Sequence, residues 1–161
     1  MLTIVFIILA IIIVRTMMPK GFSPFKPAKQ KHYTIPVSRI GKVFDQIKEQ
    51  VYEGSSAVFI FNTWERPSRN DAVNLQFSVV NSRTGFDWIL LTRRNIEDHK
   101  RFEQLAKSLG HTVVPQEKNG VYSLRVEDGD LPSLCLNVMQ QFYGLNISNT
   151  VYLLAEGFRW R

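Results

Sequence analysis

The chain holds one cysteine, Cys135, so no internal disulfide can form. Its three histidines, His32, His99 and His111, have no partner at metal or triad spacing. There is no glycine-rich phosphate loop, no nucleophile elbow and no His-Glu-x-x-His pattern. The strong enzyme signatures are therefore missing, and no catalytic residue, metal or cofactor is expected. Acidic residues are absent from positions 1–35, and nothing basic precedes the first apolar run. A cleavable secretory signal needs a basic start and a small-x-small site after its core. Neither is found around Leu2–Val14, so cleavage is not expected.

What is present at the start is an apolar cylinder. Leu2 to Val14 carries a single polar residue, Thr3, whose hydroxyl can bond back to its own helix. A surface helix would show an apolar stripe with a polar opposite face. Extended from Met1 to Met18, a helix rises about 27 Å at about 1.5 Å per residue, enough to span with Arg15 snorkelling to the headgroups. Residues 1–18 are thus expected to be a single transmembrane anchor. Arg15, Lys20, Lys26, Lys29 and Lys31 all follow the run. Since basic loops stay on the cytoplasmic side, the expected topology is N-terminus out with the remainder in the cytoplasm.

The formal charge of +6 belongs to this mount. Of 20 Lys plus Arg and 14 Asp plus Glu, the five basic residues just named lie in 1–35, leaving 15 against 14 in residues 36–161, a net of +1. A nucleic-acid partner would call for a basic folded face, and none is expected. Residues 19–36 contain Pro19, Gly21, Pro24, Pro27 and Pro36 among lysines, which excludes a continuous helix and predicts an extended tether. Residues 37–161 are long enough for one core.

Within 37–161 the patterns predict an α+β fold. Val37, Ile40, Val43, Phe44, Ile47 and Val51 recur at helical spacing and stop before Gly54. Ala57 to Phe61 is an apolar strand, and Val73, Leu75, Phe77 and Val79 alternate with polar residues beyond a turn-rich stretch holding Pro67 and Asn70. A turn over 81–85 leads to a strand from Phe86 to Leu91. Helices on one face would bury Trp88, Ile89 and Leu91. Asn95 reads as the cap of a helix closed by Gly110, and Asn119-Gly120 as a hairpin turn between strands from His111 and Val121. Asp130 caps a last helix stopped by Gly144, and Val151 to Ala155 is the final strand. From about residue 86 the order is βαββαβ. That order fits a two-layer, mainly antiparallel, ferredoxin-like arrangement with one helix and two strands added in front.

Several side chains stand out as candidate sites. Glu127, Asp128 and Asp130 form the densest acidic cluster, suited to a basic partner, although a turn and a cap account for two of the three. Phe158 and Trp160, among arginines at the end, either pack back or belong to a partner-binding surface. Arg93 and Arg94 at a helix start could hold an anion.

The expectation from sequence is a membrane-anchored, non-enzymatic protein-interaction module of immunity or adaptor type. The alternative is a membrane-bound enzyme acting on lipid or phosphorylated substrates through Arg93, Arg94 and the acidic cluster. The full chain should sediment with membranes, persist through high-salt and carbonate washes, and leave only in detergent. Burying the side chains of Leu2–Val14 at roughly 1.5–3 kcal/mol each outweighs about 1 kcal/mol per basic residue at a charged leaflet. Release by salt alone would show peripheral attachment and no anchor.

Overall fold

A computed structural model of the chain describes residues 31–50, 52–62, 72–118 and 120–161. The anchor over 1–18, the tether as far as residue 30, the turn-rich stretch with Pro67 and Asn70, Val51 and Asn119 lie outside the described residues. The described chain runs β1 (Lys31–Pro36), a short 3-10 turn (Val37–Arg39), α1 (Ile40–Gln50), β2 (Ser56–Asn62), β3 (Ala72–Val80) and β4 (Arg83–Ile89). It continues through α2 (Arg93–Ser108), β5 (Val114–Lys118), β6 (Val121–Val126), α3 (Leu131–Tyr143) and β7 (Thr150–Glu156). Among the described residues no helix is long and apolar enough to cross a membrane.

The seven strands form one sheet in the order β1-β7-β2-β3-β4-β6-β5, antiparallel at every pairing. An α+β architecture with an antiparallel sheet is therefore what the chain adopts. From β4 onward the elements do follow βαββαβ, and β4-β6-β5 are neighbours as a ferredoxin-like sheet requires. Such a sheet would also seat its last strand beside its first. Here β2 and β3 stand between β7 and β4, so the added hairpin is inserted into the sheet and is not appended to its edge. A further strand, β1, occupies residues read as tether and pairs Tyr33 with Leu153 and Ile35 with Val151.

The helices cover one face. Ile40, Val43 and Ile47 of α1, Phe102 and Ala106 of α2, and Leu134, Val138 and Met139 of α3 are buried on the alternate strand residues that include Phe59, Phe77 and Leu153. Phe77 sits at the centre, with ring centroids 5.1 Å from Phe44, 5.5 Å from Phe59 and 5.8 Å from Phe86. Trp88 stacks on Phe102 at 4.8 Å and donates its indole N–H to Asn95 O at 2.8 Å. Each aromatic pair of this kind adds about 0.5–1.5 kcal/mol beyond its buried area. Ile89 follows Trp88 by one residue, so it faces the opposite side of the sheet, where it is also buried. Leu91 lies past the strand end and is exposed.

Helix starts follow short polar side chains, with one shift from the expected position. Asp130 accepts from Ser133 N at 3.0 Å and caps α3, and Gly144 ends that helix in the left-handed region at φ 67°. For α2 the cap is Thr92, whose hydroxyl oxygen accepts from Asn95 N. Asn95 is needed elsewhere. Its side chain donates to Asn74 O at 2.7 Å and accepts from Asn74 N at 3.3 Å. It thereby imitates a strand partner for β3 just beyond the last paired residue, Leu75. Removing it would strand two buried main-chain groups at about 1–3 kcal/mol each.

The β3–β4 hairpin turns on Asn81 and Ser82, both at positive φ (52° and 61°), a conformation usually given to glycine. The Glu53 carboxylate offsets that cost by accepting from both turn amides at 3.1 Å. The turn is shorter than the expected 81–85 because strand pairing resumes at Arg83.

Candidate functional site

The sheet's second face, opposite the helices, carries polar and charged side chains that would ordinarily be wet, yet most are buried. The register aligns them in rows across the strands. One row runs Leu154, Val58, Gln76, Asp87, Arg125, and the row beside it runs Glu156, Ser56, Ser78, Gly85. At the apolar end Val58, Leu154 and Ile60 pack together, apart from the main core.

At the other end lies Arg125, with 1 % of its side chain exposed. Its Nη1 donates to Asp87 Oδ1 at 2.7 Å and to Ser78 Oγ at 2.9 Å, and its Nε donates to a Glu127 oxygen at 2.7 Å. Its Nη2 donates to Arg83 O at 3.0 Å and Ser78 O at 3.4 Å. Ser78 in turn donates its hydroxyl to Asp87 Oδ2. The guanidinium fits because residue 85 is glycine. A Cβ there would come within 2.4 Å of Arg125 Cζ.

Burial pushes the Asp87 carboxyl upward, against the pull of Arg125 and the Ser78 hydroxyl. Burial also opposes the Arg125 charge, but the two carboxylates more than offset it and hold the guanidinium protonated. Both Asp87 oxygens act as acceptors, which is the arrangement of an ionised carboxylate. Every nitrogen of Arg125 is engaged, so the group is an internal clamp and not an open anion site. Two polar atoms on the same face, Gln76 Oε1 and Ser56 Oγ, are buried without a hydrogen-bond partner, and such atoms call for an explanation.

The acidic cluster is split among three structural tasks. Glu127 accepts from Arg125 and lies 3.5 Å from Arg83 Nη1, and the Arg125 hydrogen bond holds its carboxyl below the usual range. Asp128 takes Thr112 N on both oxygens at 3.1 and 2.9 Å. Its carbonyl lies 2.8 Å from His111 Nδ1, which places the ring proton there, since a carbonyl can only accept. Asp130 caps α3, and its hydrogen bonds from Ser133 lower its carboxyl.

Arg93 Nε donates to Glu97 at 2.7 Å, and Arg94 Nε lies 2.9 Å from Asp98, each one helical turn on. Asp98 also accepts from the Tyr143 hydroxyl, over whose ring Arg94 sits. Phe158 is buried in the main core, and Trp160 packs half-buried against it. Cys135 is buried, and burial pushes its thiol up.

The two candidate charge groups are not brought together. Arg93 and Arg94 follow the end of β4 where Ile89 pairs with Ser123, whereas Glu127 follows the end of β6 where Val126 pairs with Phe86. The strands are antiparallel, so these are opposite ends, and the three residues from Phe86 to Ile89 alone span about 10 Å. Among the described residues no group of three or more His, Cys, Asp or Glu could hold a metal ion. The clamp was missed in the sequence, although an aspartate inside Phe86-Asp-Trp-Ile89 and an arginine inside Leu124-Arg-Val126 were visible signals. Comparison with protein-family models, with curated proteins and with solved structures found no match for this chain.

Arg125→Met should destabilise the domain by about 3–5 kcal/mol, because it leaves Asp87 buried and unpaired. Adding Asp87→Leu should recover most of that loss, as measured by urea unfolding of both variants. A double variant no more stable than Arg125→Met would show that the two charges do not act as a pair.

Proposed function

We propose that the chain is a membrane-anchored interaction module of immunity or adaptor type, non-enzymatic, mounted through residues 1–18 with its folded part facing the cytoplasm. What supports this reading is the use to which the charged candidates are put. The arginines are held by acids on their own helix and the carboxylates by a clamp, a loop amide and a helix cap. The alternative, an enzyme acting on lipid or phosphorylated substrates, needs these groups within hydrogen-bond reach of one substrate. Their places at opposite ends of β4 and β6 weigh against it.

Exposed apolar side chains gather instead at the corner where β4 meets α2. Leu91, Ile96 and Tyr122 are large and exposed there, and Leu90 N donates to Tyr122 O at 2.9 Å, joining the two strands at that point. Leu91 and Ile96 hold the positions just before the Thr92 cap and four residues after it, where a hydrophobic staple forms. That local role leaves Ile96 about half open at 49 % exposure. Such a corner, apolar and rimmed by charges, is of the kind that docks a protein partner.

A pull-down of the full chain from detergent-solubilised membranes should recover a stoichiometric protein partner. Ile96→Glu and Tyr122→Glu should each reduce recovery about tenfold, as loss of a binding hot spot does, with thermal unfolding of the domain unchanged. Equal recovery by both variants would remove the corner from the interface, and recovery of no partner at all would count against the module itself.

A further inference from the structure

The two edge strands of the sheet, β1 and β5, are finished differently. An edge strand turns the main-chain N–H and C=O groups of alternate residues outward, and an unblocked edge is a template for another strand. Near β5, Leu90 N donates to Tyr122 O across β4 and β6, so the main-chain groups of Tyr122 point to β4. Glu117, which pairs with Tyr122, and Pro115 two residues before it therefore turn their own main-chain groups outward. Proline has no N–H to offer, and its place there closes the β5 edge. At β1 the phase is set by Val37 N, which donates to Asn149 O just beyond the pair of Pro36 with Thr150. Tyr33 and Ile35 share that phase and face β7. The N–H and C=O of His32 and Thr34 and the C=O of Pro36 are thus directed outward. Among the described residues no strand pairs with this edge, and Lys31, His32 and Thr34 along it are exposed.

We propose that the β1 edge pairs with the β1 edge of a second copy of this chain, antiparallel and with Thr34 opposite Thr34 on the two-fold axis, so that one sheet runs through both copies. The strand is complementary to itself in this register. The two Thr34 residues exchange N–H···O bonds, and each His32 N–H meets the Pro36 carbonyl of the other copy. Tyr33 then stands opposite Ile35, an aromatic beside a β-branched side chain, and the threonines oppose each other, both of them pairings that stabilise sheets. Lys31, which alone among Lys, Arg, Asp and Glu occurs in β1, falls outside the paired span, so no like charges meet. A two-fold axis normal to the sheet keeps the helices of both copies on one face.

Size says where this pairing operates. β1 has 6 residues, too short an edge to bury the roughly 1,200 Å² of a standard stable interface. The contact is therefore weak between freely diffusing chains. Two chains mounted in one leaflet meet at a much higher effective concentration, which turns a weak contact into a populated one. That step rests on the membrane-anchored reading, whereas the register of the pair does not. In the sheet order β1 lies on the other side from the corner where β4 meets β6, so pairing through β1 leaves Ile96 and Tyr122 open to a protein partner.

The test uses the full chain in liposomes of phosphatidylcholine and phosphatidylglycerol, oxidised with copper phenanthroline. In the proposed register the Cα atoms of the two copies of residue 34 lie about 5.5 Å apart, within disulfide reach. The two copies of residue 32 are offset along the strands by about 14 Å, beyond it. Thr34→Cys should therefore give a disulfide-linked dimer at about tenfold the yield of His32→Cys, and the unchanged chain, whose Cys135 is buried, is the blank. Thr34→Lys is an exposed change that brings two ammonium groups onto the axis. It should lower Förster transfer between C-terminally labelled copies about tenfold, as juxtaposed like charges do, with thermal unfolding unchanged. No dimer from Thr34→Cys, equal yields from the two cysteine variants, or transfer unaffected by Thr34→Lys would overturn the pairing. Carbonate extraction reads the anchor separately, and the comparison of positions 34 and 32 is repeated in detergent at high protein concentration, so a chain that does not insert still decides the register.

Discussion

The guanidinium of Arg125 joins three strands on the face of the sheet that the helices do not cover. From β6 it grips Ser78 of β3, Asp87 and the Arg83 carbonyl of β4, and Glu127 just past its own strand. The neighbouring choices follow from its size and charge. Residue 85 has to be glycine because any Cβ would occupy the space of the guanidinium, and Ser78 has to be small and able both to accept from Arg125 and to donate to Asp87. A buried pair seldom adds much net stability over an apolar replacement, but breaking one is costly. Its effect here is to fix register. Asp87 must face Arg125, and slipping either strand by one residue would turn one charge into the helix-side core.

With that face polar and the other apolar, β3 is buried on both sides, and the two layers differ in kind. The helix side holds Phe77 among three aromatic neighbours, Phe44, Phe59 and Phe86, a seat made by volume. The other side is specified by hydrogen-bond geometry, in which Gln76 and Ser56 still have unused acceptors. Asn95 extends the same logic to the strand end, supplying with a side chain the pairing that a neighbouring strand no longer gives.

Much of the helix layer was legible in the sequence, because amphipathic spacing and caps are local signals. Ile40, Val43 and Ile47 share a face by periodicity alone, and Asp130 and Gly144 mark the ends of α3 by their chemistry. The sheet was legible only in part. β1 is hidden in a Pro/Lys segment, and its partner β7 lies more than a hundred residues away, so no local pattern announces the pairing. Thr92 and Asn95 are both good caps, and only the distant need of Asn74 decides between them. The inserted β2–β3 hairpin could not be placed, since strand order is a property of pairing and not of composition. Among the candidate site residues the charges were evident and their partners were not. Asp87 and Arg125 are separated by 38 positions, and Arg93 and Glu127 were candidates for one site only until the antiparallel register set them apart.

The charged groups of this domain thus serve its own architecture first, and the clamp is the clearest case. Nitrogen-15 NMR of the arginine side chains at neutral pH tests this most directly. The account predicts that Arg125 shows a slowly exchanging Nε–H and separately resolved Nη resonances from restricted rotation, unlike the exposed Arg39 and Arg159. A fast-exchanging, averaged Arg125 signal indistinguishable from theirs would contradict it.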